Sequence, residues 1–335
     1  MPETDLQRFL VVRLGSLGDL VHTLPAVAAL RASFPRARIE WVVDQKWWPL
    51  VNQFDGVDDV IAFQRSYGGA IACVRRLRQG RYSCAVDFQG LYKSALLART
   101  SGARRRVGFD RSAAREPGAS ILYTERVAPA GRHVAELNVS LAVRAGAQAP
   151  REMQFPLRVP EREAHEVREK LLSEGVGDYV VVSPGGGWAS KRWMPDRYGA
   201  LCAELWRRQG LRAFVNVSAS EAELARSVIG AAGPARPLAI TPSLPELAAL
   251  LATARLVVGA DTGPLHLAAA EGTRVVALFG PTDPARNGPL PRGTVLRNVS
   301  AEGTTYKRGE AYSPSMLSLS VEQVLEAAER ELNAG

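Results

Sequence analysis

Gly259-Ala260-Asp261-Thr262-Gly263-Pro264-Leu265-His266 brings a carboxylate, a hydroxyl, a proline and an imidazole to one point of the chain. The apolar run Leu256-Val257-Val258 before it reads as a buried strand, and an Ala/Leu-rich helix follows. Asp261 or Thr262 suits the helix cap, and Pro264 suits the first turn. Such a helix start presents unpaired N–H groups and a positive dipole end, which favours phosphate. A second apolar run, Val275 to Phe279, ends in Gly280-Pro281-Thr282-Asp283-Pro284. Two polar strand ends side by side are where open α/β sheets bind ligands. An ordinary βαβ unit with a capped helix would carry the same segment.

Two further segments repeat this pattern of strand, small residues and helix. Phe9 to Leu14 reads as a strand, followed by Gly15-Ser16-Leu17-Gly18-Asp19 and then Leu20 to Val27 as an amphipathic helix. Two glycines at this spacing do not make a dinucleotide fingerprint, which needs three. Asp19 is either a helix cap or a carboxylate held at a strand end, facing a cleft. Later, Ser183-Pro184-Gly185-Gly186-Gly187-Trp188 precedes Lys191. Gly186 and Gly187 would let backbone N–H groups approach oxyanions, and Lys191 would add a point charge.

Gly18-Asp19, Lys191-Arg192-Trp193, Asp261 to His266 and Gly280 to Pro284 occur in the order found in the lipopolysaccharide heptosyltransferases of glycosyltransferase family 9. The chain resembles that family from about Phe9 to its last helix. Asp87 to Ala95, Ala114 to Ser120 and His133 to Asn138 resemble the heptosyltransferase I branch. The resemblance implies a GT-B fold, two Rossmann-like domains facing a cleft. It implies inverting transfer of L-glycero-D-manno-heptose from ADP-heptose to Kdo of the lipopolysaccharide inner core, with Asp19 as base. Lys191, Gly186, Gly187, Asp261, Thr262, Gly263 and His266 would then bind the donor. Glu221 is either a ribose ligand or a cap, because the usual glycine before it is absent. Ser16, Arg65, Lys93 and Arg115 would bind the anionic Kdo-lipid A acceptor. The alternative is another acceptor, such as heptose, or another nucleotide sugar.

The elements that must position these residues follow from spacing. Arg38–Val43, Val57–Phe63, Cys84–Phe88 and Arg105–Phe109 join Phe9–Leu14 as strands with helices between them, ending in a helix over His133–Ala145. Pro150 to Pro160 reads as a linker. Tyr179–Ser183, Leu211–Val217, Arg236–Ile240, Leu256–Val258 and Val275–Phe279 form a second series. The expected domains are 1–150 for the acceptor and 161–320 for the nucleotide sugar, joined by 151–160. A helix over 321–335 is expected to pack back on the first domain.

A chain of 335 residues suits two domains. No apolar run approaches the roughly 20 residues of a spanning helix, and the first residues do not read as a signal peptide. Cys73, Cys84 and Cys202 are isolated and the four histidines scattered, so no metal, disulfide framework or cofactor is expected. These points suggest a cytoplasmic protein; the family resemblance implies a monomer, peripheral on the cytoplasmic face of the inner membrane. The whole excess charge, +8, lies in residues 1–150, which hold 21 Lys and Arg against 13 Asp and Glu; the remainder holds 21 of each. Nucleic acid is the usual partner of such a patch, but no nucleic-acid motif accompanies it. A nucleotide-sugar epimerase or hydrolase would need a second pair of cleft acids, which the sequence does not supply.

Overall fold

The computed structural model describes residues 7–301 and 303–334. The chain divides into two compact units, Met1–Arg158 and Val159–Gly335, so the boundary falls inside the expected linker.

The first unit holds strands β1 (Arg8–Val12), β2 (Arg38–Asp44), β3 (Asp59–Phe63), β4 (Cys84–Asp87), β5 (Arg105–Phe109) and β6 (Glu125–Val127). They form one parallel sheet in the order β3-β2-β1-β4-β5-β6. The central strands are buried along nearly their whole length, as a sheet covered on both faces requires. Helices Tyr67–Gln79 and Tyr92–Thr100 share a core on one face with Leu10, Val12, Ile61 and Ala85. The helix expected after β1 is two helices, Leu17–Val21 and Leu24–Ser33. Pro25 sits in the first turn of the second, where its missing N–H costs nothing.

The second unit repeats the plan with β7 (Tyr179–Ser183), β8 (Arg212–Asn216), β9 (Leu238–Ile240), β10 (Leu256–Ala260), β11 (Val275–Leu278) and β12 (Thr294–Leu296). Its order is β12-β11-β10-β7-β8-β9, again all parallel. Counted within each unit, both sheets run 3-2-1-4-5-6, the doubly wound order. The chain leaves the two central strands toward opposite faces, which opens a crevice at their carboxyl ends. These crevices lie at β1/β4 and β7/β10. The two Rossmann-like units of the expected GT-B class are thus present.

The last helix, Val321–Asn333, was expected against the first domain. Its apolar stripe, Val324, Leu325, Ala327, Ala328 and Leu332, belongs to the second unit's own core. There it lies with Val258, Val276 and Leu278 of β10 and β11. No helix among the described residues is long and apolar enough to cross a membrane.

Candidate active site

In the first unit the loop after β1 needs a glycine. Gly15 has φ +139°, and a Cβ there would lie 2.5 Å from the Trp47 indole nitrogen. Beyond it Asp19 occupies the third position of its short helix and reaches back. Its Oδ2 accepts from the Ser16 N–H at 3.0 Å and the Ser16 hydroxyl at 2.9 Å. Its Oδ1 lies 2.5 Å from Arg13 Nη2, and Arg115 Nη1 is 3.8 Å from Oδ2. Burial alone would raise the Asp19 pKa, but Arg13, then Arg115, then the Ser16 hydrogen bonds more than offset it. Asp19 is held below its ordinary value and is ionised at neutral pH. Its side chain remains 24 % exposed, so a substrate hydroxyl has access to it.

Arg13 was missed by the sequence reading. It ends an otherwise apolar strand, its side chain is 4 % exposed, and its other guanidinium nitrogen donates to the Phe88 carbonyl. Leu14 N–H donates to Gln89 Oε1 at 2.8 Å. The loops after β1 and β4 are therefore tied together beneath Asp19. A lone arginine closing a buried strand was the available signal, since such a charge needs a partner.

Of the four acceptor candidates, Ser16 and Arg115 are brought to Asp19. Arg65 pairs instead with Asp44 at 2.8 Å, and Lys93 lies over the Phe63 ring at 5.6 Å from its centroid. Both stand at the carboxyl edge of the same sheet, but no recorded bond among the described residues links either to Asp19.

In the second unit the donor candidates gather at the β7/β10 crevice. Asp261 follows β10 with its side chain 4 % exposed. Its Oδ2 takes Lys191 Nζ at 2.6 Å and the Thr282 hydroxyl at 2.8 Å, while Oδ1 meets His266 Nε2 at 2.9 Å. Burial pushes the Asp261 pKa upward, yet the His266 hydrogen bond and the Lys191 charge hold it well below the carboxylate range. The ionised carboxylate assigns the Nε2 proton to His266. Lys191 Nζ also stands 4.5 Å from the centroid of the Trp188 ring. Thr282 was quoted in its motif but given no role; its hydroxyl joins the loop after β11 to the loop after β10.

Helix Gly263–Ala270 starts at Thr262 without a side-chain cap, and the Thr262 hydroxyl turns back to the Ala260 carbonyl at 3.2 Å. The first-turn N–H groups, including that of Gly263, are left to water or to a ligand. The glycine loop comes close to this helix start: a Cβ on Gly186 would lie 3.3 Å from Thr262 Cγ2. Gly187 is exposed, with nothing within 4 Å of such a Cβ. Of the two expected roles of Glu221, the cap is the one observed. It forms a capping box with Ser218, and its Oε1 accepts from the Gly186 N–H at 3.2 Å. It therefore stands against the phosphate loop rather than on a distant helix.

No group of three or more potential metal-ligating side chains occurs among the described residues. In the first unit an ionised, partly exposed carboxylate can take a proton, and in the second a helix start beside Lys191 can hold an anion.

A family model described as glycosyltransferase family 9 (heptosyltransferase) matches residues 70–313. The chain belongs to glycosyltransferase family 9. A lipopolysaccharide heptosyltransferase 1 of Pseudomonas aeruginosa is 34% identical over 303 residues, covering 86% of this chain and 82% of that one. A lipopolysaccharide heptosyltransferase 3 of Escherichia coli is 26% identical over 278 residues, covering 79% and 81%. Among solved structures, the E. coli heptosyltransferase WaaC with ADP superposes with a TM-score of 0.79 at 26% identity, covering 97% of this chain and 100% of that one. As a family 9 member the chain is a glycosyltransferase of heptosyltransferase type.

Proposed function

We propose that this family 9 enzyme transfers L-glycero-D-manno-heptose from ADP-heptose to Kdo of Kdo-lipid A, with inversion. The observation that carries the reading is Asp19: a partly exposed carboxylate, kept ionised by Arg13 and Arg115 at a switch-point crevice. Asp19 takes the proton of the acceptor hydroxyl as its oxygen bonds to the anomeric carbon and ADP departs. General base catalysis of this kind contributes about 10²–10⁴-fold.

The second unit binds the donor. The first-turn N–H groups after Thr262, the Gly186–Gly187 loop and Lys191 neutralise charge on the departing diphosphate. Asp261 holds Lys191 and His266 in place, and Glu221 meets the ribose beside Gly186. The likeness to a structure solved with ADP supports an adenine nucleotide. Arg115, beside Asp19 and exposed, meets the acceptor's acidic groups together with Ser16, while Arg65 and Lys93 add charge farther along the same sheet edge. The enzyme works without a metal as a monomer, on the cytoplasmic face of the inner membrane.

Relatives numbered both 1 and 3 align with the chain, which favours a heptose acceptor as the second reading. A mass-spectrometric transfer assay separates the two. ADP-, UDP- and GDP-sugars are offered with Kdo-lipid A or with a heptose-bearing core. Transfer from ADP-heptose to Kdo-lipid A is the expected product, and activity should survive a chelator. Transfer to the heptose-bearing core alone, or full dependence on a divalent ion, overturns the corresponding part.

A further inference from the structure

Between Gln64 and Phe109 the chain carries ten Lys and Arg and one acidic residue, Asp87, which is fully buried. This stretch includes helices Tyr67–Gln79 and Tyr92–Thr100, neither of which contains Asp or Glu. Both pack on the same face of the first sheet, so their outer sides point the same way. On the first helix Tyr67, Ile71, Arg75 and Arg78 recur at helical spacing along one outer stripe. On the second, Tyr92, Leu96 and Arg99 do the same. The turn Pro117–Leu122 flanks the second helix through Ala119 and Leu122 and presents Ile121 outward.

This face exposes several large apolar side chains. Tyr67 is 87 % exposed, Ile121 73 %, Tyr92 51 % and Leu96 50 %. Arg75, Arg78 and Arg99 are exposed and have no carboxylate within ion-pair distance among the described residues. Elsewhere exposed arginines are often paired, as Arg207 and Arg208 are with Glu204, Arg226 with Glu223, and Arg255 with Asp178. Protruding aliphatic and aromatic side chains among unpaired cations suit the interface of an anionic bilayer, where rings and alkyl groups enter the headgroup layer and arginines meet lipid charge. Nucleic acid would use the cations but would leave Ile71, Leu96 and Ile121 without a purpose.

We propose that the outer face of helices Tyr67–Gln79 and Tyr92–Thr100, with Ile121, is a docking surface for an anionic phospholipid bilayer. It gives the assumed membrane location a physical cause, but its evidence is independent of the transferase reading. Arg115 and Tyr92 connect the two. The Tyr92 hydroxyl packs on the backbone of Gly118, and Arg115 stands three residues before it beside Asp19. A docked face would hold the carboxyl edge of the first sheet near the lipid headgroups.

The test is flotation of the full chain with vesicles free of any sugar acceptor, made of phosphatidylcholine alone or with a share of phosphatidylglycerol. Binding is expected only with phosphatidylglycerol and should weaken with salt. Arg75→Gln with Arg78→Gln should lower partition about 25-fold, at roughly fivefold per cation. Ile71→Ser with Leu96→Ser should abolish the part of binding that survives high salt. Both pairs are exposed, and ADP titration with circular dichroism verifies that each variant is folded. Wild-type flotation by both variants, equal binding to neutral vesicles, or retention on DNA without vesicle binding overturns the proposal. Loss of vesicle binding with transfer intact on a detergent-dispersed acceptor counts for this surface, whereas absence of transfer there counts against the function alone.

Discussion

Lys191 Nζ stands 2.6 Å from Asp261 Oδ2, so the cation best placed to meet a diphosphate is already held by a buried carboxylate. With Thr282 and His266 on the same carboxylate, Asp261 has no oxygen without a protein partner. Its first effect is on the direction and charge of its neighbours.

Lys191→Ala should therefore do two things. ADP affinity falls, and the second unit loses stability because Asp261 is left as a buried charge with fewer partners, costing about 3 kcal/mol. Urea unfolding and ADP calorimetry read the two effects separately. Asp261→Asn restores neither a full charge pair nor Lys191's position, and should weaken ADP binding too. Unchanged stability in Lys191→Ala would refute the pairing argument.

Acid stability follows from the same pair. The Asp261 pKa is depressed in the folded state, so the unfolded chain binds its proton first as pH falls. Its contribution is fully present above the unfolded value, about 3.9, and is lost below it. Asp261→Asn removes that slope. Melting temperatures of wild type and variant should converge as pH drops below about 4.

Asp19→Asn should reduce turnover by about 10³-fold with ADP affinity unchanged, since a general base contributes in that range. Arg115→Ala should raise the acceptor KM and, by removing a cation 3.8 Å away, raise the Asp19 pKa. The acid limb of kcat/KM then moves to higher pH in the variant. Because Arg115 is exposed, added salt should mimic part of the effect on acceptor use. An Arg115→Ala enzyme with normal acceptor kinetics and weakened ADP binding would reverse the assignment of substrates to units.

Two glycines test the loops. Gly15→Ala imposes a left-handed φ on a side chain that also meets Trp47, a strain of about 2 kcal/mol. It should lower turnover by displacing Ser16 and Asp19 while leaving ADP binding alone. Gly185→Ala places a Cβ 2.5 Å from Glu221 Oε1, so Glu221 must swing off Gly186. ADP affinity should fall as in Glu221→Ala, and the double variant should be no worse than either single one. Additive losses would separate Glu221 from the loop.

Ten of the twelve strands were legible from apolar runs bounded by small residues, mostly to within two residues. The two that were not, Glu125–Val127 and Thr294–Leu296, are the three-residue edge strands β6 and β12. β6 contains Glu125 and Arg126 and β12 begins with Thr294, whereas the equally short edge strand β9 is the wholly apolar Leu238-Ala239-Ile240, so only β9 stands out as an apolar run. The cluster of Lys191, Asp261 and His266 was visible because its residues lie close to glycines and prolines that dictate backbone shape. Arg13 was not, because its role comes from where the sheet puts Asp19 and Phe88, and sequence spacing does not encode that. Thr282 was hidden for the same reason, since its partner Asp261 is distant in sequence and lies in the loop after the neighbouring strand. The last helix was legible as an amphipathic element, but amphipathicity names no partner.

That helix has a consequence for how the protein is built. By burying Val324 and Ala328 beside β10 and β11, it completes the core of the unit that it follows in the chain. Each half of the reading frame thus encodes a core of its own. The halves are natural modules for segmental isotope labelling, for expression as two polypeptides, and for exchange with the corresponding half of a relative.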